Sequence, residues 1–245
     1  MKSDQKIAFI TGANRGIGLE TARSLGKLGI LVILGSRDSA KGQSAVAELQ
    51  TEGITAETIA FDATLPGSSA AAFDYIESHH GKLDILVNNA GIIAESMFGE
   101  NASSVEIEVL KETFNTNFFS VVELTQALLP LLRKSSAGRI VNLSSILGSL
   151  TIHSLADSPI DPAKALAYNA SKTALNAFTV HLAHELRGTA IKVNSAHPGW
   201  VKTDMGGSEA PVELKDGANT SVRLATLDET GPSGGFFNEG ETLPW

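Results

Sequence analysis

A chain of 245 residues with 42% apolar and 19% charged residues is long enough to bury one large core and too apolar to be disordered. It has no cysteine, which excludes disulfides, thiolate metal sites and a cysteine nucleophile, and no metal is expected. The net charge of −8 argues against broad contact with nucleic acid, so an anionic ligand must be held by a few local positive groups.

The start of the chain is polar through Lys6, and the apolar run Ile7 to Ile10 is too short for a signal-peptide core. No stretch approaches the ~20 apolar residues of a membrane span. A cytoplasmic protein with no membrane partner is expected, and the sequons at Asn101, Asn142, Asn169 and Asn219 carry little weight. From there short apolar runs alternate with helical stretches. A strand over Lys6 to Thr11 leads through a glycine-rich turn into a helix over Ile17 to Leu28, with Ile17, Leu25 and Leu28 at core spacing. Leu31 to Leu34 is a strand, and Asp38 or Ser39 caps a helix to about Glu52. A strand over Thr55 to Phe61 and a helix over Gly67 to His79 follow, then a strand over Leu83 to Val87 closed by Asn88-Asn89-Ala90-Gly91. One long helix is expected from about Ser104 to Leu132, then a strand over Arg139 to Leu143. A helix over Ala165 to Leu186, a strand over Ile191 to Ala196, a helix near Val212 to Leu227 and an edge strand over Gly235 to Phe237 complete the series.

This alternation, with strands that are apolar throughout, predicts an α/β fold: a single doubly wound, Rossmann-like domain over residues 1–245, with a mostly parallel seven-stranded sheet. The first turn reads Thr11-Gly12-Ala13-Asn14-Arg15-Gly16-Ile17-Gly18. Gly12, Asn14, Arg15, Gly16, Ile17 and Gly18 are therefore expected to border a dinucleotide, its pyrophosphate at the helix amino terminus. No Lys-Ser or Lys-Thr follows, which excludes a P-loop. At the end of the second strand, Ser36-Arg37 stands where an acid would select NAD. Arg37 and Arg15 favour the extra phosphate of NADP(H). Asp38, about 20 residues past the turn, is the alternative NAD-selecting acid, but its position suits a helix cap. Asp62, with Ala63 beside it, is a candidate for the adenine amino group or for an ordinary turn.

Tyr168 and Lys172 stand at i and i+4 on one helical face. A free phenol has a pKa near 10, and lowering it about three units needs about 4 kcal/mol. An ammonium about 4 Å away supplies energy of that order. Tyr168 can then pass a proton to a carbonyl oxygen that Ser145 holds by a hydrogen bond. Asn115 and Asn117 interrupt an otherwise apolar helix, a local conflict that fits a functional irregularity.

The glycine-rich turn, Asn88-Asn89-Ala90-Gly91, Ser145, the Tyr168 to Lys172 motif and Pro198-Gly199 with Thr203 occur in one order along the chain. In this the chain resembles the short-chain dehydrogenase/reductase family; Arg15, Arg37, the stretch His197 to Met205 and the ending Gly234-Gly235-Phe236-Phe237 make it most similar to the NADPH-dependent carbonyl reductases. The resemblance implies catalytic roles for Asn117, Ser145, Tyr168 and Lys172. It places Asn89, Ala90 and Gly91 on the adenosine side and Pro198, Gly199, Val201 and Thr203 at the nicotinamide end. Tyr168 and Lys172 also meet the cofactor. The implied reaction is hydride transfer from NADPH to an aldehyde, ketone or quinone, the small-molecule partner. The rivals are an NAD-dependent alcohol dehydrogenase of the same fold and a dinucleotide sensor without catalysis. The segment from about Leu150 to Lys164 is longer than the family's usual connection; in similar carbonyl reductases such an insertion can block the family's helix-to-helix dimer, so the resemblance leaves open a monomer or a homo-oligomer. Trp200, Met205, Ile93 and Met97 are candidates for an apolar substrate wall, and His153 is better read as a loop residue than as a substrate contact.

Overall fold

The computed structural model describes residues 5–97 and 102–245; residues 1–4 and 98–101, which include the Asn101 sequon, lie outside this account. The strands are β1 (Ile7–Thr11), β2 (Leu31–Ser36), β3 (Ala56–Ala60), β4 (Ile85–Asn88), β5 (Arg139–Leu143), β6 (Lys192–Ala196), β7 (Phe236–Asn238) and β8 (Glu241–Thr242). They form one sheet in the order β3-β2-β1-β4-β5-β6-β7-β8. Every pairing is parallel except β7 with β8. Among the described residues the sheet thus has eight strands where seven are expected. The eighth is two exposed polar residues in a hairpin, too short and too polar to leave an apolar signal.

Helices α1 (Gly16–Lys27), α2 (Ser39–Thr51), α3 (Ser68–His80), α4 (Ile107–Phe114), α5 (Ser120–Leu132), α6 (Leu150–His153), α7 (Leu166–Glu185) and α8 (Asn219–Ala225) connect the strands. Side chains alternate across β1, so Ile7 and Phe9 face one layer while Ala8 and Ile10 face the other. The first layer is closed by Ile76 of α3, Leu124 and Leu128 of α5 and Leu182 of α7. The second is closed by Leu25 of α1, Leu49 of α2 and Leu224 of α8. Both faces are covered, which is why β1, β2, β4 and β5 are buried along their whole length.

Two expected elements and one expected core residue differ. The long helix is broken at Asn115–Phe119, which winds as a π-helical turn between α4 and α5. The helix near Val212 begins only at Asn219, because the Val212 backbone is committed elsewhere. Its N–H donates to Trp200 O at 3.1 Å and its carbonyl accepts from Lys202 N at 2.9 Å. Leu28 is exposed as the residue that ends α1, whereas Leu25 is fully buried. Among the described residues no helix is long and apolar enough to cross a membrane.

Arg139 ties the sheet to the carboxyl-terminal region. Its buried guanidinium donates to the carbonyls of Leu227 (2.7 Å), Asp228 (3.0 Å), Gly138 (2.8 Å) and Ala190 (3.1 Å). Arg139→Met strands several of these acceptors, so urea unfolding should report a loss of about 3 kcal/mol. An unchanged midpoint would contradict that role.

Candidate functional site

The strand order reverses between β1 and β4, and in open α/β sheets ligands bind beyond the carboxyl ends of strands at such a point. Two adjoining clefts open there. One is a cleft of about 430 Å³ bordered by Gly12, Asn14, Arg15, Gly16, Ile17 and Gly18 at one end and by Tyr168, Lys172, Pro198 and Thr203 at the other. Arg37, Asp62, Ala63, Asn89, Ala90 and Gly91 complete its walls. The second, about 360 Å³, is largely apolar and is bordered by Ser145, Ile93, Met97, Leu147, Trp200 and Met205. Gly199 and Val201, expected at the nicotinamide end, border this second cleft instead of the first. Tyr168, Ser144, Pro198 and Thr203 border both.

The first cleft suits a dinucleotide on its own geometry. Helix α1 begins with no side-chain cap and no acid in its first turn, so its N–H groups and positive dipole end face the cleft. Gly16 has φ +59°, and a Cβ built on it meets nothing within 4 Å, which leaves space for a group to approach the backbone. Asp38 accepts from Ala40 N (3.0 Å) and Lys41 N (3.1 Å), so it is the cap of α2 and is not free to select a ribose. Arg37 is left exposed beside the cleft. Burial raises the Asp62 carboxyl, but hydrogen bonds from Thr64 N and Oγ1 and the nearby Arg37 charge outweigh it and hold it low. Asp62 is therefore a turn residue that also borders the cleft. Arg15 pairs with Asp204 across the mouth of the cleft. Both side chains are mostly exposed, so the pair costs little to break.

At the other end the side chains are tightly held. Tyr168, Ser145 and Lys172 are buried, and the Ser145 hydroxyl lies close enough to the Tyr168 phenol to pull its pKa downward. Lys172 Nζ lies 5.6 Å from the centroid of the Tyr168 ring and donates to Leu143 O at 2.8 Å. The turn after β5 presses onto α7: a Cβ on Gly148 would lie 2.8 Å from the Lys172 carbonyl carbon, so only glycine lets these segments meet. The electrostatics differ from the expectation that Lys172 depresses the phenol. Burial pushes Tyr168 up to about 12, against a downward pull from Ser145. Burial also brings Lys172 down to about 8. Desolvation disfavours both charged forms, so the phenol is protonated at neutral pH.

Asn117 is fully buried and borders neither cleft. It sits in the π-helical turn, where its Oδ1 accepts from Ile92 N (2.8 Å) and its Nδ2 donates to Ile92 O (2.9 Å) and Ser171 Oγ (3.0 Å). It thus joins the loop after β4 to α7, and the extra residue of the π turn turns its amide inward. His153 is a tie within its segment: Nε2 pairs with Leu147 O (3.0 Å) and Nδ1 with Lys164 Nζ (3.0 Å). Ile160 and Ala163 of the long connection pack against Tyr168 and Leu147, so this segment builds a wall of the apolar cleft.

Three long-range contacts of the site escape a reading of the chain. Thr11 Oγ1 accepts from both Asn89 N and Ala90 N at 3.0 Å, fixing the loop after β4 to the end of β1. Glu95 Oε1 accepts from Tyr168 N at 2.8 Å and so caps α7, which has no cap of its own. His197 borders the apolar cleft beside the Ser145 turn. Each acts across more than 50 residues of chain, where no local pattern signals it.

A short chain dehydrogenase family model matches residues 6–213. Short-chain dehydrogenase/reductase 1 of Saponaria officinalis is 34% identical over 295 aligned residues, covering 99% of this chain and 97% of its own. Carbonyl reductase [NADPH] 1 of Mus musculus is 33% identical and covers 100% of both chains. Among solved structures, the NADPH-bound carbonyl reductase from chicken fatty liver superposes with a TM-score of 0.84 at 29% identity, covering 98% of this chain and 99% of that one. The chain therefore belongs to the short-chain dehydrogenase/reductase family of oxidoreductases.

Proposed function

We propose that this protein is an NADPH-dependent reductase of aldehyde, ketone or quinone carbonyls, acting as one catalytic domain in the cytoplasm. The observation that carries the reading is the position of Tyr168, at the junction of a polar, glycine-lined cleft and an apolar one. A proton donor placed there reaches a substrate in one cleft while facing a dinucleotide in the other. Similar proteins named as NADPH carbonyl reductases and an NADPH-bound structural neighbour support the cofactor, as does Arg37 at the end of β2 in place of an acid.

When bound, the reduced nicotinamide supplies a hydride to the carbonyl carbon. Ser145 holds the carbonyl oxygen through its hydroxyl. Tyr168 delivers its phenolic proton to that oxygen as negative charge develops there. Lys172, charged and buried nearby, stabilises the charge left on the phenol and binds the ribose hydroxyls. Asn117 acts through others, holding the Ile92 loop and α7 in register so that Lys172 stays under the cleft. Proton uptake from solvent restores the phenol.

Two measurements test the parts. Arg37→Ala should weaken NADPH binding by about tenfold or more, the worth of one charge-assisted hydrogen bond, with little effect on NADH. Equal weakening of the two would remove the phosphate assignment. The pH profile follows from the buried pair. Lys172 loses its proton as pH rises through about 8, whereas Tyr168 stays protonated to about 12. The kcat/KM for reduction should therefore fall on the alkaline side with a midpoint near 8. A profile flat to pH about 10, the ordinary lysine range, would contradict the role given to Lys172.

A further inference from the structure

We infer that His197 binds substrate, its Nε2–H donating to a second, uncharged acceptor oxygen close to the carbonyl that is reduced. The inference rests on the reductase reading above.

His197 follows β6 at the carboxyl end of the strand, and its backbone is fixed on both sides. Its N–H donates to Phe237 O at 2.7 Å, and its carbonyl accepts from Asn238 Nδ2 at 2.9 Å. The ring is fixed as well, because Nδ1 accepts from Ile146 N at 3.3 Å. An imidazole whose Nδ1 is an acceptor carries its hydrogen on Nε2. Burial pushes this imidazole down to about 4, so it is neutral at physiological pH. Among the described residues Nε2 has no protein partner. It is the one polar atom of the ring left for a ligand in the apolar cleft that His197 borders.

The location sets what that ligand group is. Ile146 directly follows Ser145, so the imidazole is held against the turn that carries Ser145, and His197 and Ser145 border the same cleft. A small molecule whose carbonyl oxygen rests on Ser145 and Tyr168 then turns its neighbouring atoms toward the side of the cleft that His197 borders. A donor in an apolar cleft is costly unless met, so it selects for a molecule that carries an acceptor there. A neutral ring offers no charge to offset the desolvation of a carboxylate. The favoured class is a carbonyl compound with a neighbouring neutral oxygen, such as a vicinal diketone, over a plain ketone or a 2-oxo acid.

The test compares diacetyl, butanone and pyruvate with NADPH as the reductant. Because the ratio of kcat/KM for diacetyl over butanone is compared between variants, the greater intrinsic reactivity of the diketone cancels. His197→Leu should lower that ratio about tenfold, equivalent to about 1.4 kcal/mol. His197→Gln can place its own Nε2 donor where the imidazole has one, and should keep the ratio within about threefold of wild type, which a purely structural histidine would not predict. If the Leu variant does not fold, His197→Phe repeats the comparison with a planar ring in the same space. An unchanged ratio in the donorless variants, an equal loss in His197→Gln, or a wild-type preference for pyruvate over diacetyl would overturn the inference. Turnover on both ketones with an unchanged ratio would overturn it alone. No turnover on any carbonyl would overturn the reductase reading and this inference with it.

Discussion

Tyr168→Phe should reduce the kcat for carbonyl reduction by about 1000-fold, the scale of a positioned proton donor, while NADPH binds within about threefold of wild type. The substitution removes one hydroxyl and nothing else. The ring packs against Leu147 and Ala165, with Ile93 and Met97 alongside, and those contacts survive in phenylalanine. The lost polar contact is the one with Ser145, whose hydroxyl also accepts from Leu147 N at 3.2 Å and is not stranded. Stability should therefore hold and the loss should appear in the chemical step. Stopped-flow measurement of a single turnover separates that step from cofactor binding. A variant that turned over within tenfold of wild type would remove Tyr168 as the proton donor.

Lys172→Met should cost about 100-fold or more in kcat/KM, the scale seen when a group facing developing charge is removed. Its effect on stability should be small, for two opposing reasons. The folded chain holds this ammonium out of water, which lowers its pKa to about 8 and disfavours the charged form. Removing it relieves that burial. Removing it also leaves Leu143 O without the 2.8 Å donor, at a cost of about 1–3 kcal/mol. The sign with pH follows. Between about pH 8 and 10.5 the unfolded chain binds the proton and the folded chain does not, so wild-type stability from this group rises with pH over that window. The methionine variant should lack that rise. Calorimetric scans across the window check it, and identical pH dependence in the two proteins would contradict the burial assigned to Lys172.

Much of the architecture is legible in the chain because its strands are short, apolar and buried on both faces. The glycine turn and the Tyr168–Lys172 pair are legible for a similar reason: each is a local spacing with a direct geometric consequence. The asparagines in the middle of a helical run do coincide with a break in the helix, which changes to a π turn where Asn117 turns inward. What does not show is whatever depends on meeting a distant segment. Val212 leads into the helix-forming residues Glu213 to Lys215, yet its backbone pairs with the Trp200 to Lys202 loop. Glu95 and His197 are ordinary polar residues until the fold brings them to Tyr168 N and Ile146 N. The charge balance at the site misleads for the same reason. An i, i+4 ammonium suggests a depressed phenol, but depth of burial, which no spacing encodes, raises the phenol and lowers the amine.

The most direct test of the account is cofactor oxidation by the purified full chain, with product identified, for a panel of aldehydes, ketones and quinones offered with NADPH and separately with NADH. One alcohol or hydroquinone should form per NADPH consumed, with a clear preference for NADPH over NADH. Tight NADPH binding with no carbonyl reduced, or faster turnover with NADH, would contradict it.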